Sequence, residues 1–167
     1  MPVGAISLRD GTPVVVRPID PADRPLLVAG FEGLSERSRY QRFFRVVEHL
    51  RDDEVDFFVN VDHDQHEALA ATTPDGARGL GIARYIRLAP TSTAAEIAIV
   101  IVDEAQGLGL GHVLVDELAA LARAHGVGRF VAQTGVANRP FRRLMERLGR
   151  TRTLDVEGST IELETEL

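Results

Sequence analysis

The sequence predicts one domain of mixed α/β structure, with a central sheet of about six to seven strands flanked by about four to five helices. The length of 167 residues fits a single domain, which we place at residues 1–167. Apolar residues make up 44% of the chain, enough to build a core. Segments rich in β-branched residues are interspersed with segments whose apolar residues recur at helical spacing, an order typical of a mixed α/β fold.

The first third of the chain predicts one strand followed by three helices. β-branched residues dominate residues 12–17, which favours a buried strand. Asp20 and Pro21 suit the N-cap and the first turn of a helix. Residues 35–44 predict a second helix. The acidic residues at 52–54 begin a third, because carboxylates stabilise a helix N-terminus.

Strands dominate the middle of the chain and alternate with helices towards its end. The strand AEIAIVIVD is almost continuously apolar, as expected for a central strand that is covered on both faces. A Pro-Asp-Gly turn joins the two strands before it. The predicted strands lie at 67–72, 80–88, 94–103, 129–136, 150–157 and 159–166, and the predicted helices run from the glycine-rich turn to about residue 125 and over 138–148.

Composition excludes several classes of function. The chain has no cysteine, which rules out disulfides, a thiolate nucleophile and cysteine-ligated zinc. It has no run of about 18 apolar residues and no signal-peptide pattern at its start, so we expect a cytoplasmic protein without a membrane partner. The net charge of −6 argues against nucleic-acid binding and favours the approach of a cationic substrate.

Two polar clusters have ordinary explanations. The residues DHDQHE at 62–67 include metal-ligand types but match no known site spacing, so we interpret them as a solvated loop and expect no metal. Arg37, Arg39, Arg42 and Arg45 predict a solvated helix face beside core aromatics. Recognition of an acidic acceptor is the alternative for these arginines.

The strongest local signal is the turn from Gln106 to Gly111, between a buried strand and an amphipathic helix. Its glycines, Gly107, Gly109 and Gly111, allow a tight turn and a close approach of a ligand to the backbone. The helix N-terminus adds unpaired amides and a positive dipole end, so the turn favours phosphate binding. A purely structural turn is the alternative. The pattern lacks the later acidic residue of a dinucleotide-binding fingerprint and the Gly-Lys-Ser/Thr of a phosphate loop.

This turn carries a family resemblance. The stretch DEAQGLGLGHVLVDELAALARAHGV resembles motif A of the GCN5-related N-acetyltransferases, with Gln106, Gly109 and Gly111 at its three fixed positions. Downstream, ANRPFRRLMERLG resembles motif B of the same family, and the order of elements resembles that fold over nearly the whole chain. The segment LSERSRYQRFF resembles the start of a subgroup that includes the actinobacterial protein-lysine acetyltransferases.

The resemblance implies acetyl-CoA as co-substrate and divides the binding among several segments. Amides of the turn, from Gln106 and Gly107 to Gly111 and His112, would hold the pyrophosphate. The strand edge at Ile99, Val100 and Ile101 would pair with the pantetheine arm. Asn138 would hydrogen-bond the cofactor near that arm, and an N-cap role is compatible with this contact. From their position, Arg142 and Arg143 are candidates for the 3′-phosphate, with a solvated helix face as the alternative.

Glu96 is the candidate general base. It is the only charged residue between Thr91 and Val102, and a charge inside a buried strand is costly unless it is paired or functional. A Glu at this place in motif A acts as general base in the acetyltransferases that the segment resembles. A structural role near the entry of the strand is the alternative. The motif B tyrosine that serves as general acid in many family members is replaced by Met145.

The sequence therefore predicts an N-acetyltransferase that moves the acetyl group of acetyl-CoA to an amine. A protein lysine and a small amine both remain open as acceptors. A non-catalytic acetyl-CoA sensor is a third alternative, which the absent tyrosine favours and Glu96 opposes. The protein is expected to be a monomer or a homodimer.

Overall fold

A computed structural model describes residues 4–167, which form one eight-stranded sheet and five α-helices. The strands are β1 (Gly4–Ser7), β2 (Pro13–Pro18), β3 (His66–Thr72), β4 (Gly79–Arg87), β5 (Ala94–Ile101), β6 (Arg129–Gly135), β7 (Thr151–Glu157) and β8 (Thr160–Glu166). The helices are α1 (Arg24–Glu32), α2 (Glu36–Phe43), α3 (Asp52–Val59), α4 (Leu110–Ala124) and α5 (Arg139–Leu148). The mixed α/β prediction is confirmed.

The count of six to seven strands is too low, because β1 was not predicted. Its four residues, GAIS, contain a single β-branched residue and carry no periodic pattern of their own. The strand forms by pairing with β2, where Gly4 lies opposite Val16 and Ser7 lies opposite Pro13. Tertiary pairing, rather than local propensity, makes this element.

The strand order is β1-β2-β3-β4-β5-β6-β8-β7, and every neighbouring pair is antiparallel except β5 and β6. These two parallel strands pair only at their beginnings, from Ala94 opposite Arg129 to Glu96 opposite Val131. Past Glu96, no further pairing between them is found in residues 4–167. The sheet is therefore split beside the second half of β5.

Helices cover both faces of the sheet. Leu110, Leu114 and Leu118 of α4 are fully buried against Tyr85 and its neighbours. Full burial of a leucine side chain stabilises the fold by about 1.5–3 kcal/mol. On β4, Ile82 joins a different cluster from its neighbour Ala83, since adjacent strand residues point to opposite faces. That second face packs against α1, α2 and α3.

Side-chain caps set several helix starts. Ser35 Oγ accepts the amide of Ser38 at 3.2 Å at the start of α2. Asp20 Oδ1 accepts the amide of Ala22 at 2.8 Å, but the turn that it caps is a short 3₁₀ helix that precedes α1. Within residues 4–167, no helix is long and apolar enough to cross a membrane.

Candidate active site

A cleft of about 930 Å³ lies where β5 and β6 separate, bounded by α2, the glycine turn and α5. It brings together all of the predicted site residues except one. Those that line it are Glu96, Ile99, Val100, Ile101, Gln106, Gly107, Gly109, Gly111, His112, Asn138 and Arg143. Arg142 does not line the cleft and is half-buried on α5.

The glycine turn presents a row of unused amides to the cleft. Gly107 and Gly109 have φ of 74° and 95°, a left-handed conformation that glycine adopts without strain. Helix α4 begins directly after them, at Leu110. The amides of residues 107–112 donate to no acceptor within residues 4–167. Free amides at the positive end of a helix dipole form an anion site.

Gly111 has a different structural role from the two glycines before it. A Cβ at this position would lie 3.2 Å from Leu144 Cδ1 and 3.3 Å from Ile101 Cδ1. These contacts are tighter than ordinary packing, so the glycine allows α4 to lie close to α5 and β5. The space beside its Cα is therefore filled by protein side chains.

A hydrogen-bond network ties α2 to the turn. Gln106 Nε2 donates to Ile101 O at 3.0 Å and to Ser38 Oγ at 3.2 Å. Ser38 Oγ in turn donates to Asp103 Oδ1 at 2.6 Å, and this hydrogen bond lowers the pKa of Asp103. Gln106 therefore braces the loop with its side chain. Ser38 was not predicted, because nothing local distinguishes a serine that hydrogen-bonds a residue 65 positions away.

Arg9 is a second cleft residue that local sequence patterns did not predict. The loop between β1 and β2 docks on the glycine turn, where the Arg9 amide donates to Leu108 O at 3.0 Å. Its Nε lies 3.5 Å from the position of a Cβ on Gly109. The guanidinium therefore adds positive charge beside the free amides. Only the pairing of β1 with β2 brings it there.

The cleft is locally cationic although the chain as a whole is acidic. Four arginines and two carboxylates line it, whereas the whole chain has a net charge of −6. Local charge governs what approaches a cleft, so the net charge of the chain does not describe the surface that a substrate meets here. The lining charges are Arg9, Arg37, Arg42, Arg143, Glu96 and Asp103.

Glu96 lies at the point where the two strands diverge, opposite Ile86 on β4 and Val131 on β6. Its side chain is exposed in the cleft. The expectation of a charge inside a covered strand is therefore wrong at this residue, because the split in the sheet uncovers it. A carboxylate held there is accessible to a substrate.

Asn138 caps α5, since its Oδ1 accepts the amide of Phe141 at 3.4 Å, and it also lines the cleft. Neither tyrosine of the chain is a cleft residue. Tyr40 is exposed on α2, and Tyr85 is buried with its hydroxyl 2.7 Å from His125 Nδ1. Burial raises the pKa of Tyr85 to about 12. Met145 is fully buried, so no phenol replaces the motif B tyrosine in the cleft.

The loop at 62–67 is more structured than expected. His63 Nδ1 lies 2.8 Å from Glu67 Oε1, and Asp62 Oδ1 accepts the amide of His66 at 2.9 Å. His66 and Glu67 are buried rather than solvated. Within residues 4–167, no cluster of three or more metal-ligand side chains is present.

The arginines of α2 are likewise not a simple solvated face. Arg39 donates to Glu32 O at 2.8 Å, and its guanidinium carbon lies 4.7 Å over the Phe31 ring. Arg42 lies over two phenylalanine rings and lines the cleft. Long basic side chains can pack their planar groups on aromatic faces, a contact that helical spacing alone does not predict.

The chain belongs to the acetyltransferase (GNAT) domain family, whose sequence profile matches residues 14–151, and it is an acetyl-CoA-dependent acetyltransferase. It is 33% identical to an acetyltransferase of Pseudomonas aeruginosa over 156 residues, which are 92% of this chain and 83% of that protein. It is 32% identical to acetyltransferase Pat of Mycolicibacterium smegmatis over 86% of this chain but only 43% of that protein.

Solved structures agree with this assignment. The GNAT domain of S. lividans PAT superposes with a TM-score of 0.88 at 31% identity, over 98% of this chain and 96% of that domain. A cAMP-binding acyltransferase from Mycobacterium smegmatis superposes with a TM-score of 0.68 at 26% identity, over 99% of this chain and 47% of that protein. The GNAT fold and the resemblance to actinobacterial protein acetyltransferases are thereby confirmed.

Proposed function

We propose that the protein transfers the acetyl group of acetyl-CoA to the side-chain amine of a protein lysine, with Glu96 as general base. The observation that carries the proposal is a carboxylate exposed in the cleft at the divergence of β5 and β6. The segment LSERSRYQRFF, which resembles the start of the actinobacterial protein-lysine acetyltransferases, supports a protein acceptor.

The cleft residues fit acetyl-CoA. The free amides of residues 107–112 would hold the pyrophosphate, and Arg9 would add a charge-assisted contact. The edge of β5 at Ile99–Ile101 lacks a strand partner on its β6 side, so it offers backbone groups to the pantetheine amides. Asn138 and Arg143 lie on the α5 wall of the same cleft.

Glu96 would act on the acceptor. Its carboxylate takes a proton from the amine, directly or through a water molecule, as the new C–N bond forms and the C–S bond to coenzyme A breaks. The described cleft residues include no phenol, so the leaving thiolate takes its proton from water or from the proton that the amine released.

The test is Glu96→Gln, which keeps the shape of the side chain but cannot accept the proton. We expect kcat to fall by about 10²–10⁴-fold, the usual contribution of general base catalysis. Acetyl-CoA should still raise the melting temperature of the variant, because the binding groups are elsewhere. The wild-type rate should rise with pH through an ionisation that the variant lacks, with one lysine peptide used throughout.

Glu104→Gln is the matched control. Glu104 is an exposed carboxylate outside the cleft, paired with Arg78, so the same chemical change there should leave kcat unchanged. Full activity with an unchanged pH profile in Glu96→Gln would show that this carboxylate is structural.

A further inference from the structure

Arg42 is a cleft residue without a partner. Its guanidinium makes no hydrogen bond and no ion pair within residues 4–167, and its carbon lies 4.9 Å from the centre of the Phe43 ring and 5.7 Å from that of Phe58. The next arginine along the chain, Arg45, pairs with Glu54 at 2.9 Å. Arg42 therefore differs from its neighbour in being held by aromatic rings alone.

A second arginine, Arg84, packs against the same Phe58 ring as Arg42. Arg84 is buried with its guanidinium carbon 4.3 Å from the centre of the Phe58 ring, and it donates to His66 Nε2 at 3.0 Å and to Phe58 O at 3.3 Å. Burial, followed by repulsion from Arg84, lowers the pKa of His66 to about 4. The imidazole is therefore neutral near pH 7 and adds no third positive charge beside the two guanidinium groups.

Glu96 lines the same cleft as Arg42. Burial lowers the pKa of Arg42, and the one opposing influence is attraction by Glu96. Burial, followed by repulsion from Arg42, lowers the pKa of Arg84 to about 9. Arg42, half-buried in the cleft, and the buried Arg84 are therefore two cations with one carboxylate near Arg42, and a partly buried cation is stabilised by an anion that binds it directly.

The missing anion is not a phosphate of acetyl-CoA. The phosphate site is the turn after β5, and Glu96 lies five residues before the end of that strand. At about 3.3 Å per residue, the two points are roughly 17 Å apart. An anion that reaches Arg42 beside Glu96 thus belongs to the molecule whose amine faces Glu96.

We propose that Arg42 binds a carboxylate of the acceptor, placed next to the reacting amine. The inference rests on the proposed function and narrows its acceptor to an amine with an acidic neighbour. In a protein the carboxylate is an Asp or Glu side chain beside the lysine, and in a small molecule it is the carboxylate of an amino acid.

The experiment compares peptides with Glu or Gln beside one lysine. We expect wild type to favour the Glu peptide by about tenfold or more in kcat/KM, mainly through KM, as a charge-assisted contact gives. Arg42→Gln should remove the preference, Arg42→Lys should keep part of it, and Arg45→Gln, outside the cleft, should keep all of it. A second arm compares a free amino acid with the same amino acid in which an amide replaces the carboxylate. A preference for the free amino acid would show that the carboxylate belongs to a small-molecule acceptor.

Calorimetry with the same ligands on coenzyme A-saturated protein supplies a readout without turnover. Wild type should bind the Glu peptide about tenfold more tightly than the Gln peptide, or the free amino acid about tenfold more tightly than its amide, and Arg42→Gln should show no such difference. Glu96→Gln should slow both peptides equally and keep the preference, so loss of the base hypothesis is separable from loss of this one. Equal binding of charged and neutral ligands by wild type, in both arms, would overturn the proposal. So would an equal loss of both in Arg42→Gln.

Discussion

Under the proposed function, the two ends of the cleft would recognise their ligands by different means. The phosphate end, residues 107–112, offers backbone amides on a left-handed turn and the start of α4, whereas the Gln106 amide already donates to Asp103 O at 3.3 Å. The acceptor end, which we define as the cleft residues Arg42 and Glu96 with Phe58, which packs against Arg42, and the buried Arg84, which packs against Phe58, consists of side chains from α2, α3, β4 and β5. The first is one continuous segment, whereas the second is assembled from four separate elements.

This difference separates binding of the cofactor from specificity for the acceptor. Backbone amides suit a ligand that stays the same, because they need only a fixed chain geometry. Side chains on separate elements can change one at a time, so specificity for an acceptor is expected to depend on them. Variants at each end should therefore have different effects.

The largest expected effect is at Gly111. Gly111→Val should lower the free energy of unfolding by about 1–3 kcal/mol, the usual cost of overpacking, because the new side chain meets Leu144 and Ile101. Acetyl-CoA binding should weaken as the turn shifts. Urea unfolding and calorimetry measure the two effects.

A double variant distinguishes packing from contact with the cofactor. Leu144→Ala removes one of the side chains that Gly111→Val would meet. The double variant should therefore lose less unfolding free energy than the two single variants lose in sum. If stability recovers while acetyl-CoA binding does not, the side chain at 111 competes with the phosphates. A Gly111→Val protein as stable as wild type would contradict the packing argument.

The acceptor end should be the more sensitive to mild acid. Between pH 6.5 and about 4, the unfolded chain binds a proton at His66 that the folded protein excludes, since burial lowers the pKa of this imidazole. The free energy of unfolding should therefore fall as pH drops through this window. We expect a loss of about 1–2 kcal/mol, less than the full shift gives because solvent partly screens the charge.

His66→Gln is the control, because its amide oxygen can still accept from Arg84 but does not titrate. Its free energy of unfolding should change less than that of wild type over this window. Asp103 at the phosphate end has a lowered pKa, so its stabilising hydrogen bonds are present above pH 3.8 and are lost only below it. Identical acid profiles for wild type and His66→Gln would contradict the account of the Arg84–His66 pair.

The smallest expected effect is at Arg143. If this exposed guanidinium contacts the 3′-phosphate, Arg143→Gln should weaken acetyl-CoA by about two- to fivefold relative to dephospho-acetyl-CoA, since exposed ion pairs contribute little. Arg142→Gln is the matched change beside it, at a residue that does not line the cleft, and should have no selective effect. Calorimetry at low salt measures both, and selectivity at Arg142 instead would reverse the assignment.

Much of the fold was predictable because its elements carry local patterns. The predicted limits of β5, 94–103, differ from Ala94–Ile101 only at the end, and α4 ends at Ala124, next to the predicted limit of about residue 125. β1 was not predictable, since its four residues form a strand only against β2. The exposure of Glu96 was also missed, because an apolar run does not reveal that its partner strand turns away.

By itself, the sequence determined the order of elements, the glycine turn and the single carboxylate of β5. These depend on backbone propensity, glycine conformation and hydrophobic period, which act over a few neighbouring residues. The tertiary structure decided that Arg42, Phe58 and Arg84 meet and that Leu144 fills the space beside Gly111. Such contacts join residues far apart in the chain, and only the packing of helices on a split sheet brings them within reach.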